Sequence, residues 1–116
     1  MSARRFVVTA TTDGSGDATV YSPVIADGAI SQIRYVKTNF ADGVDFTVTL
    51  EATGETVWAE SNVNASATRA PRQASYDTAG SITGYYEFIA IANDRIKIVV
   101  AQGGDTKTGA FHIVLL

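Results

Sequence analysis

Between Val44 and Glu51 apolar and polar residues alternate without a break: Val44, Phe46, Val48 and Leu50 against Asp45, Thr47, Thr49 and Glu51. A period of two is that of a strand with one buried and one wet face. Ala52-Thr53-Gly54 after it has the composition of a three-residue hairpin loop with Gly54 in the left-handed position. Counting back from that loop pairs Glu51 with Glu55 and sets Val48 opposite Trp58, which places Trp58 in the core. The same counting across Asn93-Asp94 pairs Ile91 with Ile96 and Ile89 with Ile98, an aliphatic block on one face, while Phe88, Arg95, Lys97 and Val99 make a mixed opposite face.

Extended over the chain, the pattern predicts eight strands, Arg5 to Thr12, Ala18 to Pro23, Ala29 to Thr38, Val44 to Ala52, Glu55 to Glu60, Tyr85 to Ala92, Arg95 to Gln102 and Gly109 to Leu116. Residues suited to turns separate them: Asp13-Gly14-Ser15-Gly16-Asp17, Asp27-Gly28, Asp42-Gly43, Thr53-Gly54, Asn93-Asp94 and Gly103-Gly104-Asp105. No segment sustains an apolar period of 3.6, so no helix is expected. The fold class that follows is all-β: antiparallel strands in a single β-sandwich domain spanning residues 1–116, jelly-roll-like, with one long loop from Ser61 to Gly84. Long loops inside small domains tend to carry function. The last strand departs from simple alternation, with Phe111, Ile113 and Leu115 on one face and Ala110, His112, Val114 and Leu116 on the other. A strand apolar on both faces is expected to be covered on both, and a second subunit is the expected cover. Phe88, Val99, Val114 and Leu116 are therefore candidates for self-association.

With 116 residues, 46% of them hydrophobic and 18% charged, the chain has the size and composition of one globular domain. Cysteine is absent, which removes disulfides, thiolate nucleophiles and cysteine-ligated zinc. The net charge of −3 offers no basic footprint for nucleic acid. After Met1-Ser2-Ala3-Arg4-Arg5 the apolar run is only Phe6-Val7-Val8, too short for an export signal. No apolar stretch approaches the roughly 20 residues that cross a bilayer, so neither nucleic acid nor membrane is expected as a partner.

Catalytic groups are not expected either. The single histidine, His112, sits mid-strand with no serine, cysteine or acid pattern beside it. Asp13, Asp17, Asp27, Asp42, Asp94 and Asp105 occupy turns, where aspartate serves the backbone. Asp13 to Asp17 has the start of a calcium loop without its later ligands, Gly14 to Gly16 and Gly103-Gly104 precede no helix that could cradle a phosphate, and Asn64-Ala65-Ser66 is a glycosylation triplet of the kind that arises by chance. No catalytic residue, metal ligand or cofactor is assigned. Arginine and tyrosine are enriched at protein interfaces, so Arg69, Arg72, Tyr76, Tyr85 and Tyr86 are the first candidates for protein contact, with Arg4 and Arg5 second.

Several segments resemble a group of short tailed-bacteriophage virion proteins associated with the head. They are Thr11 to Tyr21, Ile33-Arg34-Tyr35-Val36-Lys37, Phe40 to Phe46, Thr56-Val57-Trp58 and Ala92 to Lys97, spread over most of the chain. Proteins of that group are regarded as capsid decoration or cement proteins, often trimeric β-domains over threefold positions of the shell. The resemblance implies a non-catalytic structural protein that stabilises a capsid. Its partners would be the major capsid protein and further copies of itself, as a trimer. Its location would be the capsid surface of the virion, after synthesis in the host cytoplasm. A phage tail or baseplate subunit has the same composition, and a carbohydrate-binding β-sandwich, with Trp58 or the tyrosines stacked on sugar rings, is the third reading.

Overall fold

The alternating segment is the strand β4 (Val44–Leu50) of an all-β domain. The computed structural model describes residues 3–116, so Met1 and Ser2 of the opening segment lie outside it. The other strands are β1 (Arg4–Thr11), β2 (Ala18–Tyr21), β3 (Ile25–Lys37), β5 (Thr56–Val63), β6 (Ala67–Arg69), β7 (Gln73–Tyr76), β8 (Ile82–Glu87), β9 (Ile89–Asp94), β10 (Ile96–Ala101) and β11 (Thr108–Leu115).

Setting β6 to β8 aside, the remaining strands form antiparallel pairs from the ends of the chain inward: β1 with β11, β2 with β10, β3 with β9 and β4 with β5. That long double ribbon is then rolled so that β11 meets β3 and β10 meets β4. The products are two facing sheets, β1-β11-β3-β9 and β2-β10-β4-β5, which is a jelly roll. The insertion between β5 and β9 adds β6 to the first sheet, beside β3 at Ile33 to Tyr35, and makes β7 and β8 a separate two-stranded ribbon.

Each sheet turns its apolar face inward. Phe111, Ile113 and Leu115 of β11 and Ile33 and Tyr35 of β3 meet Phe46, Val48, Ile96 and Ile98 from the opposite sheet, all of them buried. The Phe46 ring reaches across, 4.5 Å from Tyr35 and 4.9 Å from Phe111, both edge-on or tilted. Each such aromatic pair contributes about 0.5–1.5 kcal/mol beyond its area. The Tyr35 hydroxyl is buried in this cluster without a hydrogen-bond partner, and burial pushes its pKa up to about 12.

Val48 does pair with Trp58, and Trp58 is buried. The loop is not the expected one, however. Thr49 faces Thr56, and Leu50 exchanges backbone bonds with Glu55 and Gly54, so Glu51 and Glu55 are not paired. Val57 is an extra residue, a bulge that restores the register by Trp58 and lets both Val57 and Trp58 point into the core. Gly54 has the left-handed φ of 74° that the loop requires.

Other expectations are corrected. Ile89 and Ile91 do pack with Ile96 and Ile98 in one core, but β9 pairs with β3 and β10 with β4 and β2, in opposite sheets. Asn93-Asp94 is a corner between sheets rather than a hairpin: Asn93 has φ 48°, and the Asp94 carboxylate accepts the amides of Arg95 and Ala52. The strand expected from Tyr85 to Ala92 is broken at Phe88 into β8 and β9. Asp27-Gly28 lies within β3 instead of forming a turn, because β9 continues the ladder past it. The long loop from Ser61 to Gly84 is mostly strand, its period hidden because β7 and β8 have no buried face to demand one.

Candidate interaction surface

The β7–β8 ribbon is an arm. Every residue of β8 is exposed, and only Gln73, Ala74 and Ser75 of β7 are half-buried. Tyr76, Ile82, Tyr85 and Tyr86 all face solvent, Tyr85 at 76% and Tyr86 at 71% exposure. An isolated two-stranded hairpin is marginally stable in water, so local devices hold this one. At the tip, Asp77 N–H donates to the Ser81 carbonyl, and one carboxylate oxygen of Asp77 accepts the amides of Ala79 and Ser81, each at 2.9 Å. Gly80 takes φ 81° there. The same turn recurs at Asp13, whose carboxylate accepts the amides of Ser15 and Asp17 with Gly16 at φ 84°. Those amide bonds hold the Asp13 carboxyl below its ordinary pKa, so the segment that opens like a calcium loop is a turn closed by its own aspartate. The pattern Asp-x-x-Gly-x was legible at 77–81 as well as at 13–17.

Midway along the arm, β8 carries extra residues between Ile82 and Tyr86, opposite Ser75. Thr83 fills the bulge by donating its hydroxyl to the Ser75 carbonyl at 3.1 Å and accepting the Tyr85 amide. At the base, β3 is flanked by β9 as far as Ile30 and by β6 from Ile33, and Ser31 is a bulge opposite β11. The carbonyl left there accepts Arg72 Nη1 at 3.0 Å, and the same guanidinium lies 4.1 Å from the centre of the Phe88 ring. Arg72 thus satisfies a strand gap and pins the arm, with Phe88 as its platform.

Arg69 is engaged elsewhere. It donates from Nε and Nη2 to both oxygens of Glu60 at 2.8 Å and lies over Trp58, whose indole N–H donates to the same carboxylate at 3.0 Å. This closes the sandwich edge between β6 and β5, and the Arg69 and Trp58 bonds hold the Glu60 pKa down. Arg4 reaches the carbonyl and carboxylate of Asp27. The structure therefore brings Tyr76, Tyr85 and Tyr86 together on the arm with Arg72 at its root, and leaves Arg4, Arg5 and Arg69 apart from them.

The self-association candidates lie in separate places. Val99 is on the outer face of the β2-β10-β4-β5 sheet opposite Thr47 and Thr19, Phe88 is at the arm's root, and Leu116 continues the ladder with Ala29. Val114 lies on the outer face of the other sheet, between Arg5 and Gln32. That outer face is built from Arg5 and Val7 of β1, Ala110, His112 and Val114 of β11, and Arg34 and Val36 of β3. Val7 is 52% exposed. Arg5 Nη1 lies 3.3 Å from His112 Nδ1 and Arg34 donates to the Thr68 hydroxyl, and neither arginine has a carboxylate partner among the described residues. The strands β1, β11, β3 and β6 contain one acid, Asp27, which is paired with Arg4. Among the described residues no three His, Asp or Glu side chains gather as a metal set, and no cavity indents the surface.

No family model matches the chain, and no curated protein matches it. Among solved structures it is similar to the CBM32 of AlyQ in complex with 4,5-unsaturated mannuronic acid, with a TM-score of 0.52 at 13% identity over 94% of this chain and 75% of that one. The likeness is one of fold. Two others are more distant: the virus-like particle of Macrobrachium rosenbergii extra small virus, with a TM-score of 0.41 at 13% identity over 99% of this chain and 79% of that one, and CBM32-3 from a family 31 glycoside hydrolase of Clostridium perfringens, with a TM-score of 0.43 at 9% identity over 94% and 74%.

Proposed function

We propose that the protein is a non-catalytic structural component of a bacteriophage virion, a decoration protein that self-associates as a trimer, binds the major capsid protein and stabilises the shell from its surface. The observation that carries this reading is the β7–β8 arm, an apolar and tyrosine-rich ribbon with nothing of its own domain beneath β8. Such a surface fits a protein partner. Jelly rolls serve both capsid and lectin domains, so the fold alone does not choose between them, and the resemblance of the chain's segments to head decoration proteins favours the shell as partner. Stabilisation follows from linkage: a protein that binds only the intact shell lowers its free energy by about 2.7 kcal/mol per site at a hundredfold excess over the dissociation constant.

The test mixes the protein with cognate capsids that lack it and measures saturating stoichiometry and the temperature of DNA release. Saturable binding with a raised release temperature is expected. Binding to tail tubes instead of heads moves the protein to the tail or baseplate reading, and binding to neither overturns the virion reading. Tyr76, Tyr85 and Tyr86 are the aromatic side chains of the arm exposed enough for a sugar-stacking reading, since Trp58 is buried. In a glycan-binding assay, binding lost in Tyr85→Ala would support that reading.

A further inference from the structure

The arm and the outer face of the β1-β11-β3-β6 sheet are complementary. Residues 73–87 of the arm contain two acids, Asp77 and Glu87, and no Lys or Arg. The face presents Arg5 and Arg34 without carboxylate partners among the described residues, set around Val7, Val36 and Val114. Apolar side chains lie among the polar ones on both surfaces, with His112 between Val7 and Arg34 on the face, and the acids of the arm oppose the arginines of the face in charge. Each also lacks cover: β8 is exposed throughout, and Val7, on the edge strand β1, is more than half exposed. The arm makes no extensive contact with the strands that build the face.

We propose that the occupant of this face is the β7–β8 arm of a second copy of the chain, with Tyr85 and Tyr86 laid on Val7 and Val114 and the arm's acids set toward Arg5 and Arg34. The proposal rests on the reading of the arm as a protein-contact element and names its partner. Because arm and face are different surfaces, the contact is head-to-tail, and copies joined this way close into a ring or run on as a filament. Burial of the half-covered outer face of β11 follows, which accounts for a strand apolar on both sides in a two-layer fold.

Head-to-tail docking has a signature that symmetric docking lacks. In sedimentation velocity at micromolar concentration, the wild type forms closed oligomers that dissociate as salt is raised. An arm variant, Tyr85→Ser with Tyr86→Ser, and a face variant, Val7→Asp with Arg34→Glu, each weaken self-association by at least about tenfold while keeping the β-type circular dichroism of the wild type. Mixed together, the two variants restore one good contact, the intact arm of the face variant on the intact face of the arm variant, and sediment as a heterodimer. A monomeric wild type, or a mixture that stays monomeric while either variant alone loses assembly, overturns the proposal. The same variants, added to capsids lacking the protein, separate the two ideas. If the wild type is monomeric and the arm variant alone fails to bind capsids, the arm meets the shell rather than a second copy, and the reading of it as a contact element stands. If the arm variant self-associates and binds capsids as the wild type does, that reading fails too.

Discussion

Tyr35 is the residue at which the core is least settled. Its ring stacks on Phe40 and packs edge-on against Phe46 and tilted against Phe111, yet its hydroxyl is buried and unpartnered. A buried polar atom without a hydrogen bond costs about 1–3 kcal/mol relative to its hydrated state. Tyr35→Phe is therefore expected to leave the protein as stable or about 1 kcal/mol more stable at pH 8, read from urea denaturation. The pH dependence has a definite sign. Burial raises the folded-state pKa from 10.0 to about 12, so the neutral phenol's contribution is fully present below pH 10 and is lost as pH rises through 12. By pH 11 the wild type should lose about 1.4 kcal/mol from this group, and Tyr35→Phe should lose that much less. Equal alkaline losses in the two proteins would show that the hydroxyl is hydrated after all.

At the level of elements, the arm and the roll are separable. No strand of the sandwich makes extensive contact with β7 or β8, and the arm's root is held by Arg72 on Ser31 and Phe88, both of which survive its removal. Replacing residues 73–87 with a short Gly-Ser linker is expected to leave a cooperative thermal transition in circular dichroism, shifted by no more than about 5 °C. Loss of cooperativity would mean that the arm is part of the core. The edge strand β5 behaves differently, because Trp58, Glu60 and Arg69 there bridge the two sheets. The alternation of β4 and the pairing of Val48 with Trp58 could be read from the chain, since a one-sided strand next to a Gly turn leaves few registers. The strands β6 to β8 could not, because exposure on both faces imposes no apolar period.

Across the whole molecule, the first and last strands pair with each other, and each sheet sets a strand from the end of the chain, β11 or β10, beside one from its first half, β3 or β4. Such a jelly roll must close nearly the entire chain before its first sheet is complete, and topologies of this kind fold in milliseconds to seconds. Stopped-flow refolding followed by Trp58 fluorescence should show a phase in that range, and microsecond refolding would contradict the topology. Deleting Thr108 to Leu116 should abolish folding, since β11 lies between β1 and β3 rather than at an edge.

By itself the sequence determined the class of fold, because the period of two and the turn residues act locally: an all-β sandwich with Phe46, Val48, Trp58, Ile89, Ile91, Ile96, Ile98, Phe111 and Ile113 inside. It also singled out Arg72, Tyr76, Tyr85 and Tyr86, the residues that the arm brings together. Only the tertiary structure decided which strands are neighbours. Periodicity states which face of a strand is buried but not against what, so Ile91 beside Ile96 in the chain lies across the core from it in space. The same limit hid the arm: a ribbon with no fully buried residue leaves no apolar period in its sequence, and its exposure shows only when the rest of the roll is seen to leave it uncovered.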